Sequence, residues 1–134
     1  MCKWSRLMIV SPRALVHGYP WRDTIAHELT HLALSRMTGG RAPMWLHEGV
    51  AKFEETRWRS DPPGRLSPMA GLLLDRAVAG NRLIPFRRLH PSIAKLPTQN
   101  DAARAFAEGY TCVRYLYGRM DYADAVLAEL DVVV

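Results

Sequence analysis

Glycine and proline cut this chain into pieces of helical length, and that punctuation constrains the fold more than any other feature. The breaks fall at Gly39-Gly40, at residues 60–64 (Ser-Asp-Pro-Pro-Gly), at Gly80-Asn81, and at Pro85, Pro91 and Pro97. Between them, Asp23 or Thr24 can cap a helix that runs to about Met37. Ile25, Leu29, Leu32 and Arg36 trace one stripe of it, with Ala26, Ala33 and Met37 beside them, which predicts a wide apolar side. A second helix begins at Pro43, where a proline in the first turn forfeits no hydrogen bond, and continues to about Trp58. Ser67 followed by Pro68 has the chemistry of an N-cap and first turn, opening a helix through Ala79. Asn100 or Asp101 can cap a long helix to about Arg119, and a last short helix fits residues 122–130. Residues 82–98 read as mostly irregular.

One apolar run, residues 7–10 (Leu-Met-Ile-Val), suits a strand, ended by Pro12. The fold class is therefore mainly α (α+β) with an abbreviated β-sheet. A lone short strand forms no sheet, so residues 7–10 are expected to pair with Val132-Val133-Val134, with another copy of the chain as a homo-oligomer through this edge strand, or with further sequence in a longer parent protein. The length of 134 residues fits one domain spanning residues 1–134, or a piece of a longer protein.

The net charge of +5 comes mainly from scattered arginines. Arg57-Trp58-Arg59 and Arg87-Arg88 are too short to form a basic tract, so no nucleic acid partner is expected. No stretch approaches the ~18 apolar residues of a membrane span, and none has the layout of a signal peptide. That favours a soluble, cytoplasmic chain with no membrane partner, and leaves compartment open if a longer exported precursor was processed. Cys2 and Cys112 lie in no metal-binding spacing and do not amount to a disulfide framework.

The chemistry concentrates in His27-Glu28-Leu29-Thr30-His31. Residues four apart on a helix share a face, separated by ~6 Å of rise. Two imidazoles so placed can converge on one metal, while Glu28 can reach a metal-bound water without being a ligand. Catalytic zinc needs a third protein ligand and one open position. The metzincin pattern would place Gly and His where this chain has Leu34 and Met37, which excludes that class. Beyond the Gly39-Gly40 turn a returning helix could supply a ligand from His47 or Glu48. Adjacent helical residues point about 100° apart, so both cannot easily face one metal, and spacing alone does not choose between them.

The segments Ile25-Ala26-His27-Glu28-Leu29-Thr30-His31 and Ala42-Pro43-Met44-Trp45-Leu46-His47-Glu48-Gly49-Val50-Ala51 together resemble the peptidase MA-like family of gluzincins, distant relatives of thermolysin and aminopeptidase N. The resemblance is close over residues 24–55 and looser over residues 105–118. It implies a small zincin-like domain, Zn2+ as cofactor, metal ligands His27, His31 and Glu48, and a peptide or protein substrate. His47 falls on the family's variable position. Phe106 stands where the family often has tyrosine, a departure from its pattern.

The implied reaction is hydrolysis of a peptide bond through a zinc-bound water, with Glu28 as general base and later proton donor to the leaving amine. The developing oxyanion needs another donor, for which Tyr110 is the candidate, with Tyr115 or His90 as alternatives. A ligating histidine usually donates its other ring nitrogen to an acceptor. Glu55, on the same helical face as Glu48, can supply one, with Glu54, Asp75, Asp101 and Glu108 as other carboxylates. The segment by which aminopeptidase N grips a substrate N-terminus has no counterpart here. The alternative function is a zinc-binding peptide-recognition or interaction domain with little or no turnover. The intact Glu28 speaks against it, because a structural site needs no base.

Overall fold

The computed structural model describes residues 2–3, 6–59 and 66–119. Among these residues the chain is mainly helical, with four α-helices: α1 (Trp21–Thr38), α2 (Met44–Glu54), α3 (Pro68–Ala79) and α4 (Gln99–Arg119). The described strands are two-residue pieces, β1 (Cys2–Lys3) and β2 (Arg6–Leu7), paired antiparallel with Cys2 opposite Leu7 and Lys3 opposite Arg6. The strand expected at residues 7–10 thus includes only Leu7. Met8 and Val10 are both 58% exposed, and the Val10 carbonyl accepts from the Tyr19 hydroxyl rather than from a strand. Beyond Leu7, residues 8–10 join no ladder among the described residues. The sheet among the described residues is the one two-stranded ladder of β1 and β2, which rests against α1. The helix expected at 122–130 and the pairing with Val132-Val133-Val134 lie outside them.

Helix α1 starts before Asp23 and Thr24, because Pro20 provides the cap. Its ring holds φ at −72°, and its carbonyl accepts from the Thr24 amide at 3.1 Å and the Thr24 hydroxyl at 3.3 Å. Asp23 instead lies in the first turn, where its carboxylate suits the positive helix end and accepts from Trp58 Nε1 at 2.8 Å and an Arg59 guanidinium nitrogen at 3.1 Å. The helix stops as expected at Gly39-Gly40. Both have positive φ, 59° and 76°, a conformation glycine adopts without strain, and the chain turns back into α2.

Pro43 is the N-cap of α2, its carbonyl accepting from the amides of Leu46 and His47, each at 3.1 Å. The helix ends at Glu54, short of Trp58, and gives way to a tighter 3₁₀ turn at Arg57–Arg59. Ser67 caps α3 as expected, its hydroxyl accepting from the Ala70 amide at 3.2 Å. Thr98, rather than Asn100 or Asp101, caps α4: its hydroxyl accepts from the Asp101 amide at 3.0 Å and donates to the Asp101 carboxylate at 2.8 Å.

Helix α2 lies between α1 and α4 and contacts both. Leu34 of α1, Leu46, Val50 and Phe53 of α2, and Tyr110 and Val113 of α4 form one buried cluster. Each fully buried side chain of this size contributes about 1.5–3 kcal/mol. Ile84, Leu89, Ile93 and Ala105 form a second cluster, flanked by Trp45 and Phe86, which stack at 4.7 Å between centroids. The inward face of α1 is not the stripe through Ile25 and Leu29. Leu34 and Thr38 are its buried residues, while Leu29 is 50% and Met37 69% exposed. Helical spacing puts His27 and His31 on the face of Leu34 and Thr38. Packing against α2 therefore turns the histidines inward. No helix among the described residues is long and apolar enough to cross a membrane.

Candidate metal centre

His27 and His31 project from successive turns of α1 toward α2, which presents Glu48. The two Nε2 atoms are 3.2 Å apart. Glu48 Oε2 lies 3.5 Å from the Nε2 of His27 and 3.6 Å from that of His31. This triangle has a chemical meaning. Donors held ~2.0–2.1 Å from a tetrahedral zinc stand ~3.3–3.4 Å from one another, so the three atoms already match the edges of such a polyhedron. Two imidazoles and one carboxylate are also a donor set suited to a divalent transition metal. These three residues could hold a metal ion.

The supports of the two histidines differ. His27 Nδ1 donates to Glu55 Oε2 at 3.2 Å, and the other oxygen of that carboxylate accepts from Lys52. Glu55, at the C-cap of α2, thus orients His27 with Nε2 toward Glu48. On His31, Nδ1 lies 3.4 Å from Nδ1 of His47, and the rings are 5.5 Å apart at a 41° tilt. Glu48 therefore enters the triangle through Oε2, while His47 sits beside it against the outer edge of His31.

Without metal, the cluster holds its charge as a paired set. Burial works to lower the His27 pKa, but its hydrogen bonds to Glu48 and Glu55 outweigh it and raise the pKa to about 9. Burial works to raise the Glu48 pKa, and the hydrogen bonds from His27 and His31 overcome it, bringing the carboxyl down to about 2. His47 is pushed down, first by burial and then by the charge of His31, with Glu48 opposing.

The centre opens onto a cavity of about 650 Å³, whose wall includes Glu28 as well as His27, His31, His47 and Glu48. Glu28 lies about 100° around α1 from His27, outside the triangle but on the same cavity. Ser35 and Met44 continue the wall, Pro91 and Ser92 face it from the segment before α4, and Phe106 comes from α4. Sequence patterns gave no reason to single out Met44, Ser35, Pro91 or Ser92, which gather here only through packing.

Tyr110 is not brought to the cavity. It is 1% exposed within the core cluster of α1, α2 and α4, because the crossing of α4 over α2 covers this turn of the helix. Phe106, one turn earlier, is the α4 aromatic that reaches the wall, and it has no hydroxyl to donate. Tyr115 is 61% exposed and lines a different depression with Trp45 and Phe86. His90 is exposed and is not part of the wall, although its neighbour Pro91 is.

No curated protein and no solved structure gives a significant match. The family model of the Peptidase MA superfamily matches residues 7–131, a span that contains both helices of the donor triangle and the α4 aromatic on the cavity wall, and the chain belongs to that superfamily.

Proposed function

We propose that the protein is a zinc-dependent metallopeptidase of gluzincin type, acting on peptides or proteins. The observation that carries this reading is the donor triangle of His27, His31 and Glu48, with edges of 3.2, 3.5 and 3.6 Å, open to a cavity that also holds Glu28. When bound, zinc supplies Lewis acidity, polarising the scissile carbonyl and making water acidic enough to attack near neutral pH. The remaining work belongs to side chains. Glu55 holds His27 in one orientation. Glu28 accepts the proton of the attacking water and returns it to the amine that leaves. The largely uncharged remainder of the wall, from Met44, Pro91 and Phe106, excludes water from around the extended backbone of a substrate.

The test is metal analysis together with digestion of an unstructured, casein-like substrate. Purified protein should contain about one zinc per chain, and hydrolysis should disappear with a chelator and return on adding zinc. Protein that takes up no zinc, or hydrolysis indifferent to chelation, would overturn the reading. Stoichiometric zinc with no turnover on any peptide would favour the recognition domain.

Proton competition gives a second expected result. Zinc needs His27 neutral, yet without metal its pKa is about 9, so at neutral pH binding must expel a proton. Apparent zinc affinity should therefore rise about tenfold per pH unit from pH 7 toward 9 and level off above. Glu48, with a pKa of about 2, stays ionised throughout and adds no slope. Titration calorimetry in buffers of different ionisation enthalpy counts the protons released. A pH-independent affinity between 7 and 9 would contradict the raised His27.

A further inference from the structure

The partner of His31 is an imidazole where His27 has a carboxylate, and the geometry points to His47 as the positioning residue that fixes His31 for metal binding. This rests on the zinc site proposed above and follows from proton bookkeeping. A neutral imidazole has one N–H and one lone pair. If His31 offers its Nε2 lone pair to the centre, where it stands 3.2 Å from His27 Nε2 and 3.6 Å from Glu48 Oε2, its proton resides on Nδ1. The atom facing that N–H is His47 Nδ1, 3.4 Å away. His47 must then accept through Nδ1, which leaves its own proton on Nε2. One tautomer thus dictates the next.

The arrangement is rigid for local reasons. His47 and Glu48 are adjacent on α2, so the helix that delivers the carboxylate also delivers the acceptor. Pro43 caps the amide of His47 itself at 3.1 Å, fixing this first turn. His47 also lines the cavity, so the Nε2–H form makes it a hydrogen-bond donor on a wall where Tyr110 is absent and Phe106 has no hydroxyl. The two ligating histidines are consequently held by unlike acceptors, the ionised Glu55 on one side and a neutral ring on the other.

The experiment compares His47→Leu with His47→Asn, measuring zinc affinity by competition with a chromophoric chelator. The asparagine amide oxygen can occupy the place of Nδ1 as an acceptor, whereas leucine fills similar space without one. His47→Leu should bind zinc roughly 10–100-fold more weakly, and His47→Asn should stay within about threefold of the parent protein. Nitrogen-15 NMR of the zinc-loaded parent protein should show His47 protonated at Nε2 and bare at Nδ1. Equal affinity in the leucine variant, no rescue by asparagine, or a His47 proton on Nδ1 would overturn the assignment while leaving the zinc site standing. A parent protein that binds no zinc would overturn both.

Discussion

Replacing Glu28 with glutamine should leave zinc bound and lower the rate of peptide hydrolysis by roughly 10²–10⁴-fold, the usual contribution of a positioned general base. The substitution keeps the size of the side chain and removes only its ability to take a proton. Glu28 stands outside the triangle of His27, His31 and Glu48 but on the same cavity, so metal content should be indifferent to it. The ligand variants should behave in the opposite order. His27→Ala or His31→Ala deletes one of three donors, and since catalytic zinc is held by three protein ligands, the metal should be lost and activity with it. Glu48→Ala should weaken zinc as well, whereas His47→Ala should weaken it less, through His31 alone. Metal analysis beside a peptidase assay separates these cases. Unchanged turnover in Glu28→Gln removes the proposed mechanism, and loss of zinc in that variant makes Glu28 a ligand instead. If His47→Ala strips the metal and Glu48→Ala does not, the donor on α2 has been misassigned.

What could be read from the sequence was what local chemistry decides. Ser67 before Pro68 and the pair Gly39-Gly40 act within one turn of chain, and both punctuate the structure where expected. The spacing of His27 and His31 works because a helix places them on one face, and Glu55 shares a face with Glu48 for the same reason. Decisions made by packing were not legible. The pattern of α1 offered its apolar stripe through Ile25 and Leu29 as the buried side, but the face toward α2 carries His27, His31, Leu34 and Thr38. Phe106 and Tyr110 are one turn apart on α4, and spacing cannot tell that the first reaches the cavity while the second is sealed under α2. Residues 8–10 look like a strand by composition, yet strand formation needs a neighbour, which composition does not supply.

Gly49, next to the proposed ligand Glu48, leads to the second large effect, because it is where α2 and α4 touch backbone to backbone. A Cβ built on Gly49 would lie 2.6 Å from the Gly109 carbonyl oxygen and 2.8 Å from Val113 Cγ2. Gly109 is constrained in turn, its Cβ position being 2.9 Å from the Trp45 carbonyl oxygen. Carbonyls within a helix do not rotate aside as a long side chain can, so Gly49→Ala forces the helices apart. Overpacking of this kind costs about 1–3 kcal/mol, which corresponds to a melting temperature lower by roughly 4–12 °C for a domain of this size. The same displacement should carry Glu48 away from its 3.5 and 3.6 Å spacing to the histidines, so zinc affinity should fall although no ligand has been changed. Gly71→Ala is the control. It lies within α3 with nothing inside 4 Å of its Cβ position, and alanine is the better helix former by about 1 kcal/mol, so this variant should melt at or above the parent temperature and keep its zinc. Thermal unfolding and chelator competition on both proteins decide the matter. A Gly49→Ala protein as stable as the parent would mean that the contact between α2 and α4 is looser than the structure has it, and that Glu48 is placed by something other than this crossing.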